Sequence, residues 1–134
     1  MENLSINASL QNKQIPQIFL NADNGKGEIT GASFHENAFY LYKEVTNWIN
    51  EYLEENKTLA LTFGVNYFNT PSAKGIYNIL ATLKEWTHEN KEISLKWYVF
   101  ENDDDLYEDI ETLAEDVELN ISIIMSDKKH QIAS

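Results

Sequence analysis

Between Phe34 and Val117 the apolar residues keep changing period, and that alternation restricts the fold more than any other feature of the chain. From Phe34 to Glu55 the positions Ala38, Leu41, Tyr42, Val45, Trp48, Ile49, Tyr52 and Leu53 recur at three-then-four spacing, which predicts one helix with a single buried face. Ser33, followed three residues later by Glu36, has the form of a capping box and puts the helix start there. Leu59 to Phe68, LALTFGVNYF, is too short for a free-standing helix and too apolar for a surface loop, so it is expected to be a largely buried strand. A second helical stripe follows at Ala73, Ile76, Ile79, Leu80, Leu83 and Trp86. Asn69 or Thr70 caps it, with Pro71 in the first turn where its missing N–H is harmless. Ile93 to Phe100 is expected as a strand and Asp104 to Val117 as a third helix with Leu106, Ile110, Leu113, Ala114 and Val117 inward. Leu119 to Met125 is expected as a last strand.

Upstream, Gln14 to Asn21 and Gly27 to Ala32 form two short strand patterns around the turn-rich NADNGKG, which predicts an opening hairpin. The order strand, strand, helix, strand, helix, strand, helix, strand implies an α/β protein: a mixed sheet with an opening hairpin and about three packed helices. That order is compatible with the STAS-like arrangement of anti-sigma factor antagonists. One domain is expected over residues 1–134, with loose ends at about 1–12 and at 127–134.

Charge and residue inventory exclude several functions. The 22 acids against ten lysines, with no arginine, give a formal net charge of -12, a surface that repels nucleic-acid backbones and anionic lipid. A protein partner is expected instead. There are no cysteines, so thiolate chemistry and Cys-ligated metals are excluded. No signal peptide or membrane span is evident, and the reading is cytoplasmic. His35, His88 and His130 lack ligand spacing, and the five glycines fit neither a P-loop nor a dinucleotide fingerprint, so no cofactor is expected. Glu101 to Glu118 holds ten acids and no lysine, and Asp103, Asp104 and Asp105 invite a metal reading. An EF-hand needs alternate ligands around a central Gly, which ENDDDLYEDIET does not supply. The remaining readings of this block are a helix start favoured by the dipole, a solvated face, or a docking surface for a basic partner patch.

The stretch NYFNTPSAKG, Asn66 to Gly75, runs from a strand into a helix start. Amides of a first helical turn are unsatisfied and carry partial positive charge, so a phosphoryl group on Thr70 is favourably placed, and Lys74, one turn on, can add a charge-assisted contact. The alternative is that Asn69 or Thr70 only caps the helix and Lys74 is a solvated lysine.

The same residues bring in a family resemblance. Tyr67, Phe68, Asn69, Thr70, Pro71, Ser72, Ala73 and Lys74 resemble the Tyr-Phe-Asn-Thr-Ser-Ser run with a following Lys of the SiaC family of partner-switching regulators. Gly31, Ser33, Glu36, Asn37 and Ala38 resemble its upstream signature, Trp97 and Tyr98 its Trp-Tyr strand, and Asp103 to Asp105 its acidic stretch, over roughly residues 14–125. Pro71, Ala73, His35, Val99 and Phe100 depart from the pattern. The resemblance implies a non-enzymatic regulator in which Thr70 is phosphorylated by a dedicated serine/threonine kinase and restored by a PP2C-type phosphatase. It implies that the unmodified form binds and stimulates a diguanylate cyclase and that phosphorylation releases it. Asn69, Ser72 and Lys74 are then expected around the phosphate or at the partner interface, with Asp103 to Asp105 as a possible acidic docking surface. The rival readings are a constitutive acidic binding module and a divalent-metal enzyme using the Asp103 to Asp105 region.

Overall fold

A computed structural model describes residues 1–7, 15–100 and 102–126. Along them run β1 (Leu4–Ile6), β2 (Gln17–Asn21), β3 (Lys26–Ser33), α1 (Ala38–Glu55), β4 (Thr58–Phe68), α2 (Thr70–Thr87), β5 (Glu92–Phe100), α3 (Asp104–Val117) and β6 (Ser122–Ser126). The strands lie in the sheet in their chain order, β1 to β6. The first two pairings are antiparallel and the last three parallel. The expected mixed sheet, opening hairpin and three helices are therefore all present.

Each parallel step needs a crossover, and such crossovers are right-handed. Three successive steps in one direction along the sheet thus put α1, α2 and α3 on one face. Burial agrees with this. Ile18, Leu20, Ile29, Leu59, Leu61, Phe63, Val65, Leu95, Trp97 and Val99 are buried beneath the helices, whereas Gln17, Phe19, Ser94 and Lys96, at alternate positions, face outward and are exposed. The helices add Tyr42, Val45, Ile49 and Leu53 from α1, Ile76, Ile79, Leu80 and Leu83 from α2, and Leu106, Ile110 and Val117 from α3. At the centre Phe63 and Trp97 stack at 4.7 Å and 13°, and the Trp97 indole donates to the Val65 carbonyl at 3.0 Å.

Three expectations are corrected. The first helix begins at Ala38 and not at Ser33, so the capping box does not form: Ser33 ends β3, and the turn into α1 is closed by the Asn37 amide donating to His35 Nδ1 at 3.0 Å. The chain start is not loose over residues 4–6. Its strand pairs with β2, Asn3 Oδ1 accepts from the Ala22 amide at 2.8 Å, and the Trp48 indole donates to the Glu2 carbonyl at 3.0 Å. The last strand spans Ser122–Ser126 and not Leu119–Met125, because Glu118, with φ 55, turns the chain out of α3 first. The expected loose end at 127–134, together with residues 8–14 and Glu101, lies outside the described residues. No described helix is long and apolar enough to cross a membrane.

Gly75 permits the close approach of α1 to α2. A Cβ there would stand 2.6 Å from Tyr42 Cδ2 and 2.7 Å from Tyr42 Cβ, both near the backbone of α1 and unable to yield cheaply. Gly75→Val is expected to lower stability by about 2 kcal/mol through this overpacking. A urea midpoint lowered at constant m-value is the measurement that checks it.

Candidate functional site

A one-residue irregularity shapes the end of β4. The parallel register runs Thr30↔Gly64 and Gly31↔Val65, then jumps to Ala32↔Tyr67 and Ser33↔Phe68. The jump passes over Asn66 and reverses which side chains face the helices. Tyr67 is consequently turned out, 55% exposed, while Phe68 turns in and meets Trp97 at 6.0 Å. Tyr67 rests edge-on against Phe34 at 6.1 Å, leaving an exposed aromatic pair beside the start of α2.

The start of α2 is tied to the end of β3 by hydrogen bonds converging on Ser33. Its carbonyl accepts from the Asn69 amide at 3.1 Å and from the Ser72 hydroxyl at 2.9 Å, and the Ser33 and Ser72 hydroxyl oxygens are 2.7 Å apart. Asn69 is the cap, in extended backbone, with Oδ1 accepting from the Ser72 amide at 3.0 Å. Ser72 is fully buried by these contacts. Ser72, expected around the phosphate or at the partner interface, has its hydroxyl in the joint between helix and sheet.

Thr70, the first residue of α2, is exposed, and Lys74, one turn on, is exposed on the same flank. The phosphate-binding capacity of this helix start is smaller than the bare pattern suggests. Pro71 has no amide proton and the Ser72 amide is taken by Asn69, so the Thr70 amide is what the first three residues of α2 keep available. That amide and the helix dipole are what this corner offers an anion, with Lys74 exposed one turn on.

Asp103, Asp104 and Asp105 lie at the start of α3. Asp103 is its cap, Oδ1 accepting from the Leu106 amide at 3.2 Å, and Asp104 and Asp105 occupy the dipole-favoured first turn. The described residues contain no group of three His, Cys, Asp or Glu able to hold a metal. Because β3, β4 and β5 are parallel, the starts of α1, α2 and α3 all lie along one rim of the sheet, and Thr70 shares that rim with Phe34 and Asp103.

Residues 10–126 match the model of the SiaC family of regulatory phosphoproteins. The chain belongs to that family. Its fold is that of SiaC of Pseudomonas aeruginosa, which is 26% identical, with 94% of this chain and 100% of that one covered at a TM-score of 0.84. A structure of the diguanylate cyclase SiaD in complex with its activator SiaC, from the same organism, matches at 26% identity and a TM-score of 0.83. The match covers 92% of this chain and 99% of that one. An uncharacterised protein of Pseudomonas aeruginosa strain UCBPP-PA14 is 28% identical over 105 residues, 78% of this chain and 83% of its own length.

Two features of this SiaC-family site were missed by sequence reasoning: the Ser33–Ser72 pair and the lack of a hydrogen-bond partner for the phenol of Tyr42, a residue the helical pattern already put on the buried face. Both need the packing of α1 and α2 against β3, and isolated serines carry no pattern. Burial pushes the Tyr42 phenol up to about 12, with the neighbouring Ser33 hydroxyl opposing weakly. Nothing among the described residues meets the phenol at hydrogen-bond geometry. The fold thus favours the neutral phenol. Its contribution is intact below the ordinary value near 10 and disappears as pH rises through about 12. Tyr42→Phe is expected to be at least as stable as the parent at neutral pH, and to lack on the order of 2 kcal/mol of the parent's alkaline loss between about pH 10 and 12. Denaturant titrations across that range check it. Asn69→Ala is expected to lower stability by about 1 kcal/mol through loss of the cap, with Thr70→Ala within about 0.5 kcal/mol of the parent. Comparing their melting curves separates the cap from the exposed threonine.

Proposed function

We propose that this protein is a non-catalytic partner-switching regulator in which the chemical state of Thr70 decides whether an effector is bound. In the unmodified state it binds and stimulates a diguanylate cyclase. Phosphorylation of Thr70 by a serine/threonine kinase releases it, and a PP2C-type phosphatase restores it. Such a cycle belongs in the cytoplasm, where these partners have access to their nucleotide substrates.

The observation carrying this reading is the contrast between the two hydroxyls at the start of α2: Thr70 is exposed and Ser72 is fully buried. A kinase reaches the first without disturbing the joint between helix and sheet and can reach the second only by opening it. The SiaC–SiaD complex supports a diguanylate cyclase as the effector class. The exposed Phe34–Tyr67 pair beside Thr70 supports a docking surface there, since aromatic anchors dominate interface energetics.

Release requires no refolding. A dianion at a helix start is neutral or favourable to the fold, by about 0.3 to 1 kcal/mol. An effector that must cover Thr70 would have to desolvate that charge on a protein whose formal charge is already -12. Thr70→Asp is expected to weaken binding and activation of the cyclase with a nearly unchanged melting temperature. Thr70→Ala is expected to bind constitutively and resist kinase-driven release. Titration of a purified cyclase with both variants and with the phosphorylated protein tests the cycle. Equal binding by parent, Thr70→Asp and phosphorylated protein would leave Thr70 as a surface residue of the cap and end the proposal.

A further inference from the structure

The ladder between β4 and β5 ends before either strand does. Its register runs from Thr58↔Glu92 to Phe63↔Trp97, whereas β4 continues to Phe68 and β5 to Phe100. Past the last pair, a side chain of β5 carries the connection. The Trp97 indole donates to the Val65 carbonyl at 3.0 Å, and its ring meets Phe68 at 6.0 Å and 53°. These two contacts fall on either side of Asn66, the residue passed over where the register with β3 jumps from Gly31↔Val65 to Ala32↔Tyr67.

The jump competes with a register that continues without it. Pairing Ala32 with Asn66 and Ser33 with Tyr67 would keep the strict alternation of the strand, turning Tyr67 toward the helices and Phe68 away. The corner would then be one residue out of step. Phe68 would follow directly on the residue paired with Ser33, where Asn69 does now, and Pro71, which has no hydroxyl, would come to the place of Ser72. Trp97 favours the observed register, because Phe68 completes the cluster around its ring, whereas an inward Tyr67 would bring a phenol that needs a hydrogen-bond partner under the helices.

We infer that Trp97 is the positioning residue of this corner: by gripping Val65 and Phe68 across the jump, it fixes the register that exposes Thr70 and shuts Ser72 in the joint with Ser33, and so decides which hydroxyl is modified. The last step rests on the proposed phosphorylation of Thr70. A kinase moves the γ-phosphoryl group of ATP to a hydroxyl oxygen, releasing ADP and the hydroxyl proton, so the hydroxyl it can reach is the one it modifies.

Amide hydrogen exchange of the full chain, followed by NMR, reads the corner without a kinase. The Asn69 amide, bonded to the Ser33 carbonyl, and the Ser72 amide, bonded to Asn69 Oδ1, report the joint. The amides of Ala60 and Glu92, bonded to the Gly25 and Lys57 carbonyls at the other end of the strands, report the rest of the fold. In Trp97→Phe, which keeps a ring and loses the indole N–H, protection of Asn69 and Ser72 is expected to fall about tenfold or more beyond any change at Ala60 and Glu92. Phe68→Leu keeps the indole and removes the ring contact. It is expected to show the same pattern, and it decides the matter alone where Trp97→Phe fails to fold. Leu95→Val, a core change on the same face of β5, should shift all four amides by one common factor. After treatment with the cognate serine/threonine kinase and ATP, peptide mapping is expected to find the phosphoryl group on Thr70 in the parent and on both Thr70 and Ser72 in the variants with an opened corner. Uniform loss of protection in Trp97→Phe and Phe68→Leu, or modification of Thr70 alone in variants whose corner has opened, would overturn the inference. The expected exchange pattern in a parent that no kinase modifies would end the Thr70 reading and leave the role of Trp97 in the register standing.

Discussion

A parallel strand can reach its neighbour only through a crossover, and the rest of this structure depends on that geometric constraint. Three crossovers of one hand, stepping in one direction from β3 to β6, stack the helices on one face and leave the other without a helix among the described residues. They also bring the starts of all three helices to one rim and put β6 last in the strand order. Location of the candidate phosphorylation site is thus inherited from topology. The chemistry there comes from a few local residues.

At the rim, that chemistry depends on how α2 is joined to β3. The register jump at the end of β4 turns Tyr67 out and Phe68 in, and the next residue, Asn69, bonds Ser33 and caps the helix at once. Burial of Ser72 and exposure of Thr70 are two consequences of the same joint. A buried hydroxyl pair would be costly unpaired, and the Ser33 carbonyl and the short contact between the two oxygens offset that cost. The site combines a rigid base with a solvent-facing hydroxyl. A modification there can change what the surface presents without loosening what lies under it.

Acidity is distributed to match. The block from Asp103 onward serves α3 first: Asp103 caps it, Asp104 and Asp105 favour its dipole, and the later glutamates line its outer flank. None of this assembles a metal centre among the described residues. Apart from the half-buried cap Asp103, the carboxylates from Asp104 to Glu118 are exposed, and their collective charge acts on partners and not on the fold.

Much of the architecture was legible in the sequence because it follows from period. The helix from Asp104 to Val117, the strand ending at Phe68 and the apolar stripes of all three helices are local patterns whose apolar face must be buried somewhere, and the family motif marked Thr70 and Asn69 at the start of α2. What period could not reveal were pairings between distant residues. Ser33 followed by Glu36 is a capping box by spacing, yet Ser33 is held 39 residues away by Ser72, because the tertiary bond buries both hydroxyls where a cap would leave one in solvent. The strand at Leu4–Ile6 is too short to signal itself and exists because β2 offers it an edge. The sequence by itself determined the order of elements and the residue types at the helix starts. Only the tertiary structure decided which hydroxyl faces the solvent and which is buried, because both depend on what packs against them from elsewhere in the chain.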